Sequence, residues 1–484
     1  MTESIEQLKP ERLWHYFLEV CKIPRPSKRE EKIAQYLRDF GKAMGLETLT
    51  DETGNVLIRK PATKGMENAP SVILQSHIDM VGEKNSDKKH DFAKDPIQPY
   101  IDDGWIKARG TTLGADDGIG IASSLAVLEA KDYAHGPLEA FFTVDEETGL
   151  TGAFGLKPDF LKSSILLNLD SEDEGEIFIG CAGGCDSVAT FKLSLEASTP
   201  DFIPFRMAIT GLKGGHSGDD IGKGLGNAVK LLSRFLWNAS RGFGIRISTI
   251  DGGNLRNAIA REGFANILVP KKQERPFLDF AQEFHKTIMD ELKITDNGLT
   301  FSIEYCPMPK KMLKMKLQNN LLNALYACPH GVLEMSREIP NFVETSTNLA
   351  SVKMSKGKIF VTTSQRSSVE SAKTNIRDMV ASVFTLAGAS VEHSTGYPGW
   401  QPNMDSDILR LTVASYQHLF GQKPRVLAIH AGLECGLIGA IYPGMDMVSF
   451  GPTIKGAHSP DERLDIETTV KFWKLLVDIL GKIK

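Results

Sequence analysis

Ser71-Val72-Ile73-Leu74-Gln75-Ser76-His77-Ile78-Asp79-Met80 is an apolar run that ends in an imidazole and a carboxylate two positions apart. Side chains i and i+2 of an extended chain point the same way, so His77 and Asp79 leave the end of one strand toward one crevice. Open α/β sheets bind their ligands in such crevices, beyond the carboxyl ends of the strands. An ordinary pair, with the histidine satisfied by a backbone carbonyl, would show the same spacing. The crevice reading gains from other strands that end alike: residues 138–144 run into Asp145-Glu146-Glu147-Thr148-Gly149, residues 164–169 into Asp170, and residues 425–429 into His430.

Upstream of this strand, residues 10–23 and 28–44 carry apolar side chains at helical spacing, and residues 48–60 read as a hairpin turning at Asp51-Glu52-Thr53-Gly54-Asn55. Downstream, the charged stretch 83–95 reads as a solvated loop. A short strand at 105–109 then leads to Gly114-Ala115-Asp116-Asp117-Gly118, at the mouth of the apolar helix 119–130. One aspartate suffices to cap a helix. Two exceed that need, and they are also what a dication would want there.

From about residue 187 the chain alternates strands with amphipathic helices. Glycine turns at Lys213-Gly214-Gly215-His216-Ser217-Gly218 and Gly252-Gly253-Asn254-Leu255-Arg256-Asn257 interrupt it, and strands at 347–354 and 357–363 precede Gln365-Arg366-Ser367-Ser368. Residues 187–396 are roughly twice what one ferredoxin-like unit needs, so two units in tandem are expected. Lys310, Lys311, Lys314 and Lys316 read as a solvated helix face. After a turn at 396–402 the alternating α/β pattern resumes, with a loop at Gly456-Ala457-His458-Ser459-Pro460 and a closing helix at 468–482. The expected domains are 1–186 and 397–484 as one catalytic domain, interrupted by a lid at 187–396.

A chain of 484 residues exceeds one compact core. A net charge of -5 and a pI near 6.2 speak against nucleic acid or an anionic membrane as partner. The opening Met1-Thr2-Glu3-Ser4-Ile5-Glu6 is acidic, and no apolar run approaches roughly 18 residues, so a cytoplasmic protein without a membrane partner is expected. The six cysteines are too scattered for a disulfide framework. Cys181-x-x-x-Cys185, among glycines, reads as a turn rather than a thiolate metal pair.

The set His77-x-Asp79, Gly114-Ala115-Asp116-Asp117-Gly118, Asp145-Glu146-Glu147-Thr148-Gly149, Asn168-Leu169-Asp170 and Gly456-Ala457-His458-Ser459-Pro460 resembles, in order and spacing, the dinuclear zinc exopeptidases that include carnosinase and aminoacylase. The likeness extends through the His216 turn, Pro398-Gly399-Trp400-Gln401-Pro402 and His430-Ala431-Gly432-Leu433-Glu434-Cys435-Gly436. It implies a three-layer α/β/α catalytic domain interrupted by an α+β lid of ferredoxin-like units, and hydrolysis of unblocked dipeptides, Xaa-His and β-alanyl-His among them. It implies two zinc ions per chain, with manganese or cobalt as substitutes, bridged by Asp116. His77 and Asp170 would complete one metal position, Glu147 and His458 the other. Imidazole and carboxylate ligands without thiolate agree with that choice.

The same resemblance makes Glu146 the general base and Asp79 the partner that orients His77. It assigns His216 to the oxyanion of the tetrahedral intermediate, and suggests a homodimer. Asn257 and Arg366 are the candidates for the substrate's free carboxylate, with a turn or a structural salt bridge as their alternative roles. Asp117 stands where the pattern has asparagine, which leaves open which aspartate of the pair bridges. Two other readings remain: an amidase acting on N-acyl amino acids, and a degenerate binding protein without catalysis.

Overall fold

The computed structural model describes residues 4–484, which divide into two compact units. The first comprises the chain up to Gly180 together with Trp400–Ala428 and Leu433–Lys484; the second comprises Cys181–Gly399 and Ile429–Gly432.

An eight-stranded sheet organises the first unit. Its strands lie in the order Glu47–Thr50, Val56–Lys60, Leu138–Thr143, Val72–His77, Ile165–Asn168, Asp446–Ser449, Glu176–Cys181 and Arg425–Ile429. The strands from Leu138–Thr143 to Asp446–Ser449 run parallel. Every residue of Val72–His77 and Leu138–Thr143 is buried. Because successive side chains of a strand face opposite ways, unbroken burial means that both faces are covered. The helices Glu11–Cys21, Glu31–Ala43, Ala115–Glu129, Asp407–Phe420 and Ile466–Lys482 supply the outer layers of this α/β/α arrangement. Glu11–Cys21, for example, buries Leu13, Trp14, Phe17 and Val20, one apolar stripe at helical spacing.

Parallel direction has a consequence for chemistry. The carboxyl ends of the strands, at Thr143, His77, Asn168 and Ser449, come to one edge of the sheet. A second, four-stranded sheet in the same unit runs Ile454–Lys455, Arg463–Asp465, Trp105–Ala108, Pro99–Asp102. It joins the end of the chain to the segment just before Asp116.

The second unit is a nine-stranded sheet backed by helices. Phe202–Thr210, helix Ala228–Phe243, Arg246–Gly253, Gly263–Pro270, helix Glu274–Leu292 and Thr300–Tyr305 make one βαββαβ unit, its last strand beside the first, then the third, then the second. That is the ferredoxin-like arrangement. Helix Met315–Ala327, strands Val343–Ser355 and Lys358–Ser367, helix Glu370–Leu386 and strand Ser390–His393 repeat it, but the first strand of this copy is Gly183–Lys192, upstream of the whole of the other. The two copies are therefore nested, one inserted into the other, where the sequence suggested a tandem pair. They join edge to edge where Gly252 and Gly253 pair with Val352 and Ser351.

Aromatic packing holds the inserted copy together: the ring of Phe235 lies 5.1 Å from those of Phe284 and Phe301 and 5.8 Å from Phe277. Each such buried ring contributes about 1.5–3 kcal/mol. The lysine patch is not one helix face, since Lys311 lies in the strand Lys311–Leu313 and Lys314 caps the helix Met315–Ala327. Among the described residues no helix is long and apolar enough to cross a membrane.

Candidate active site

His77 closes the central strand with its Nε2 3.0 Å from Asp116 Oδ1 and 3.4 Å from Asp170 Oδ1. The other oxygen of Asp116, Oδ2, lies 3.2 Å from His458 Nε2, which is 2.9 Å from Glu147 Oε2. Asp116 thus presents one oxygen to each histidine. The ligand-capable atoms of His77, Asp116 and Asp170 lie within 4.8 Å of one another, as do those of Asp116, Glu147 and His458.

Local folding explains this convergence. His458 lies in the turn between Ile454–Lys455 and Arg463–Asp465, and Arg463–Asp465 pairs with Trp105–Lys107, a few residues before Asp116. His458 thereby comes beside Asp116, 342 residues earlier in the chain. Gly114 begins the Asp116 turn with φ 69°, and a Cβ there would come within 2.8 Å of Arg25 Nη2 and Met80 Sδ. Only glycine fits. The buried Arg25 donates through Nη1 to the carbonyls of Ile78 (3.1 Å) and Asp79 (2.6 Å), and through Nη2 to that of Gly114. Asp117 is engaged by the helix: its Oδ1 accepts the N–H of Gly120 at 3.0 Å and caps it. Capping and ligand geometry are thereby divided between the two neighbours.

Asp79 is fully buried and ties several parts together. Its carboxylate accepts the N–H groups of Glu146 (3.0 Å) and Glu147 (3.2 Å), and Oδ1 lies 3.3 Å from His77 Nδ1, off the axis of a good hydrogen bond. Burial pushes this carboxyl up, but His77 and the backbone N–H groups outweigh it and hold it at about 2.

The other carboxyls are crowded. Burial, reinforced by Asp170, Glu434 and Glu147 against the pull of His77, holds Glu146 well above the ordinary range. Burial likewise pushes Asp170 up to about 7 against His77. Asp116 is held low, because its hydrogen bonds with His458 and His77 overcome burial. Hydrogen bonds to Asp116 and Glu147 push His458 up to about 11. Carboxylates gathered in a dry pocket must hold protons or find cations. Glu147 Oε1 is buried with no hydrogen-bond partner. Two imidazoles, three carboxylates and no thiol form a donor set that suits zinc and its neighbours, so these residues fit a pair of metal ions.

One layer beneath lies a polar row that sequence reading missed. Buried Glu434 accepts from Gln75 Nε2 (2.6 Å) and Thr143 Oγ1 (2.7 Å); Gln75 Oε1 accepts from Asn168 Nδ2 at 2.5 Å, and Asn168 Oδ1 accepts from Ser449 Oγ. Gln75, Thr143, Asn168 and Ser449 lie at or near the carboxyl ends of the parallel strands and Glu434 opens the helix Glu434–Ile441, so the row braces the strand ends beside the candidate ligands. Burial pushes the Glu434 carboxyl up to about 7.

In the second unit, His216, Asn257 and Arg366 are neighbours. Arg366 stands on the strand Lys358–Ser367, which runs past the end expected at 363; its Nη1 donates to the Tyr397 hydroxyl at 3.0 Å and its Nη2 lies 3.5 Å from His216 Nε2. Arg366 Nε is buried without a partner. Ser217 N–H donates to the Asn257 carbonyl at 2.8 Å, while the Asn257 side chain is exposed. His430 lies 2.7 Å from Ser346 Oγ, and burial, followed by Arg366, holds its imidazole down at about 3. Tyr397 and Ser346 carried no signal in the sequence.

Residues 73–482 match Peptidase family M20/M25/M40. The chain is 46% identical over 480 residues, 99% of both proteins, to the cytosol non-specific dipeptidase of Escherichia coli strain K12. It is similar to the crystal structure of aminoacylhistidine dipeptidase from Vibrio alginolyticus, with a TM-score of 0.95, 46% identity, and coverage of 100% of this chain and 98% of that one. A more distant fold match is the aminopeptidase PepT of Bacillus cereus, with a TM-score of 0.58, 18% identity, and coverage of 98% and 99%.

Proposed function

This chain belongs to peptidase family M20/M25/M40, and from that premise we propose that it is a metal-dependent dipeptidase that hydrolyses unblocked dipeptides, including Xaa-His and β-alanyl-His. The observation that carries the reading is the Asp116 carboxylate, with oxygens 3.0 Å and 3.2 Å from the ring nitrogens of His77 and His458. One carboxylate offered to two ligand groups is what a dinuclear site requires. His77, Asp116 and Asp170 would hold one zinc ion, and Asp116, Glu147 and His458 the other, with manganese or cobalt as substitutes. When bound, such a pair polarises the peptide carbonyl and lowers the pKa of a bound water toward about 7.

Glu146 would take a proton from the attacking water and return it to the leaving amine. Its elevated carboxyl pKa, set by burial, favours such proton traffic. Asp79 orients His77 and, through the N–H groups of Glu146 and Glu147, sets where the base and the neighbouring ligand begin. His216, Asn257 and Arg366 form the proposed substrate-binding set. Arg366, whose planar fork matches a carboxylate, takes the carboxyl terminus with Asn257, and His216 donates to the developing oxyanion.

The proposed location is the cytosol, the location named for the E. coli relative, and the proposed assembly is a homodimer, testable by sedimentation equilibrium. The function is tested by assaying Ala-His beside N-acetyl-His before chelation, after it, and after zinc return. Hydrolysis of Ala-His alone, lost and then restored, is expected. Preference for the acylated substrate would overturn the reading.

A further inference from the structure

Glu462 lies four residues beyond His458, in the same turn. Its carboxylate, 2% exposed, accepts four consecutive backbone N–H groups: Oε2 from Leu113 (2.7 Å) and Gly114 (2.9 Å), Oε1 from Ala115 (2.7 Å) and, more weakly, Asp116 (3.4 Å). These amides form the turn that presents Asp116. The opposite side of that turn, the Gly114 carbonyl, is gripped by Arg25. Charge-assisted bonds to backbone N–H groups are among the stronger hydrogen bonds.

The two histidines are supported very differently. His77 ends a central strand with its side chain 1% exposed, whereas the His458 side chain is 52% exposed and its backbone has φ 61°. Within the His458 turn, Ser459 Oγ bonds the Gly456 carbonyl (2.7 Å) and Glu462 N–H bonds the Ser459 carbonyl (3.1 Å), contacts internal to the turn. Glu462 is the buried group that connects this turn to the Asp116 turn. Removing it leaves Asp116 with Arg25 and the helix cap of Asp117 on its own segment, but leaves the His458 turn only the strand pairing of Arg463–Asp465 with Trp105–Lys107 at its far end.

We propose that Glu462 is a positioning residue that latches the His458 turn onto the Asp116 turn, and so sets the affinity of the metal position formed by Asp116, Glu147 and His458 more than that of the position formed by His77, Asp116 and Asp170. The inference rests on the two-metal reading above. Loss of such supporting contacts typically weakens metal binding about 10- to 100-fold.

The test uses Glu462→Gln in the full chain. The amide keeps the shape but turns an NH₂ group toward two of the four N–H donors. Metal-free wild type and variant are titrated with Co²⁺ against a competing chelator, and the absorption bands of bound cobalt are followed. Wild type should take up two ions. The variant should keep one near wild-type affinity and bind the other about 10- to 100-fold more weakly, with the bands of one site alone diminished. A merely structural role would instead lower both affinities together, and parallel losses, or none, overturn the proposal. Should the amide variant not fold, Glu462→Asp, which keeps the charge and shortens the reach by one methylene, is expected to show the same split at smaller size. Fewer than two ions in wild type would refute the two-metal reading and this inference with it; two ions in wild type with parallel losses in the variant would refute the inference alone.

Discussion

Replacing Asp79 by asparagine removes a charge while keeping the shape, and the geometry sets the size of the effect. The native carboxylate accepts two backbone N–H groups, from Glu146 at 3.0 Å and Glu147 at 3.2 Å, beside His77 Nδ1 at 3.3 Å, in a position with no exposure. An amide has one acceptor oxygen, so one of the two N–H groups must face an NH₂ instead. A hydrogen bond to a charged group contributes about 1.5–3 kcal/mol. At about 1.4 kcal/mol per factor of ten, its loss corresponds to about a 10- to 150-fold fall in kcat/KM, because Glu146 and Glu147 both start from this point. The assay is Ala-His hydrolysis at saturating zinc, so that weakened metal uptake does not masquerade as a slower reaction. Thermal unfolding of the metal-free protein controls for misfolding. A variant within twofold of wild type under these conditions would refute the claim that Asp79 organises the site.

Other expected outcomes follow from single contacts. Glu146→Gln should retain both metals by elemental analysis yet lose about 10²- to 10⁴-fold in kcat, and a rate near wild type would remove Glu146 as the base. Gly114→Ala places a side chain on a residue with φ 69° and within 2.8 Å of Arg25 Nη2, so urea unfolding should show a loss of at least about 1–2 kcal/mol; an unchanged midpoint would contradict the tight-turn account. Half-buried His330, whose Nδ1 accepts the Leu349 N–H at 3.2 Å, is held down at about 4 by desolvation and then by Lys230. Its folded value lies below the unfolded one, so its contribution to stability is complete above about pH 6.5 and is lost as pH falls toward 4. The Tm of wild type should therefore drop more steeply over that window than that of His330→Asn, and parallel curves would refute the assignment.

What could be read in the chain was what repeats with a fixed period or ends a strand. His77 and Asp79 announced themselves because a strand places alternate residues on one side, and Glu147 and Asp170 because each follows an apolar run, whereas His458, in the loop Gly456-Ala457-His458-Ser459-Pro460, stood out only through the family resemblance. The partners that hold these candidate ligands were not legible. Arg25 and Glu462 act on backbone carbonyls and N–H groups, which leave no mark in a sequence, and Gln75, within the most informative stretch, has its role only because Glu434 and Asn168 approach it from distant parts of the chain. Nesting was hidden for a similar reason. Gly183–Lys192 is separated from the helix and strands it completes by the whole of the inserted copy, so no contiguous stretch carries the repeat. The strand expected over 357–363 runs on to Ser367 because polar residues can fill a strand when its side chains find partners, as Arg366 does in Tyr397. Nothing in the order of residues signals the return of Ile429–Gly432 to the second unit.

At the centre of this account one carboxylate serves two cations at once. Asp116→Ala in the full-length protein, stripped with chelator, reloaded with zinc and measured by elemental analysis beside wild type, interrogates that directly. Close to two zinc ions per chain are expected in wild type and close to none in the variant, with peptide hydrolysis lost in parallel. Retention of nearly two ions by the variant would contradict it.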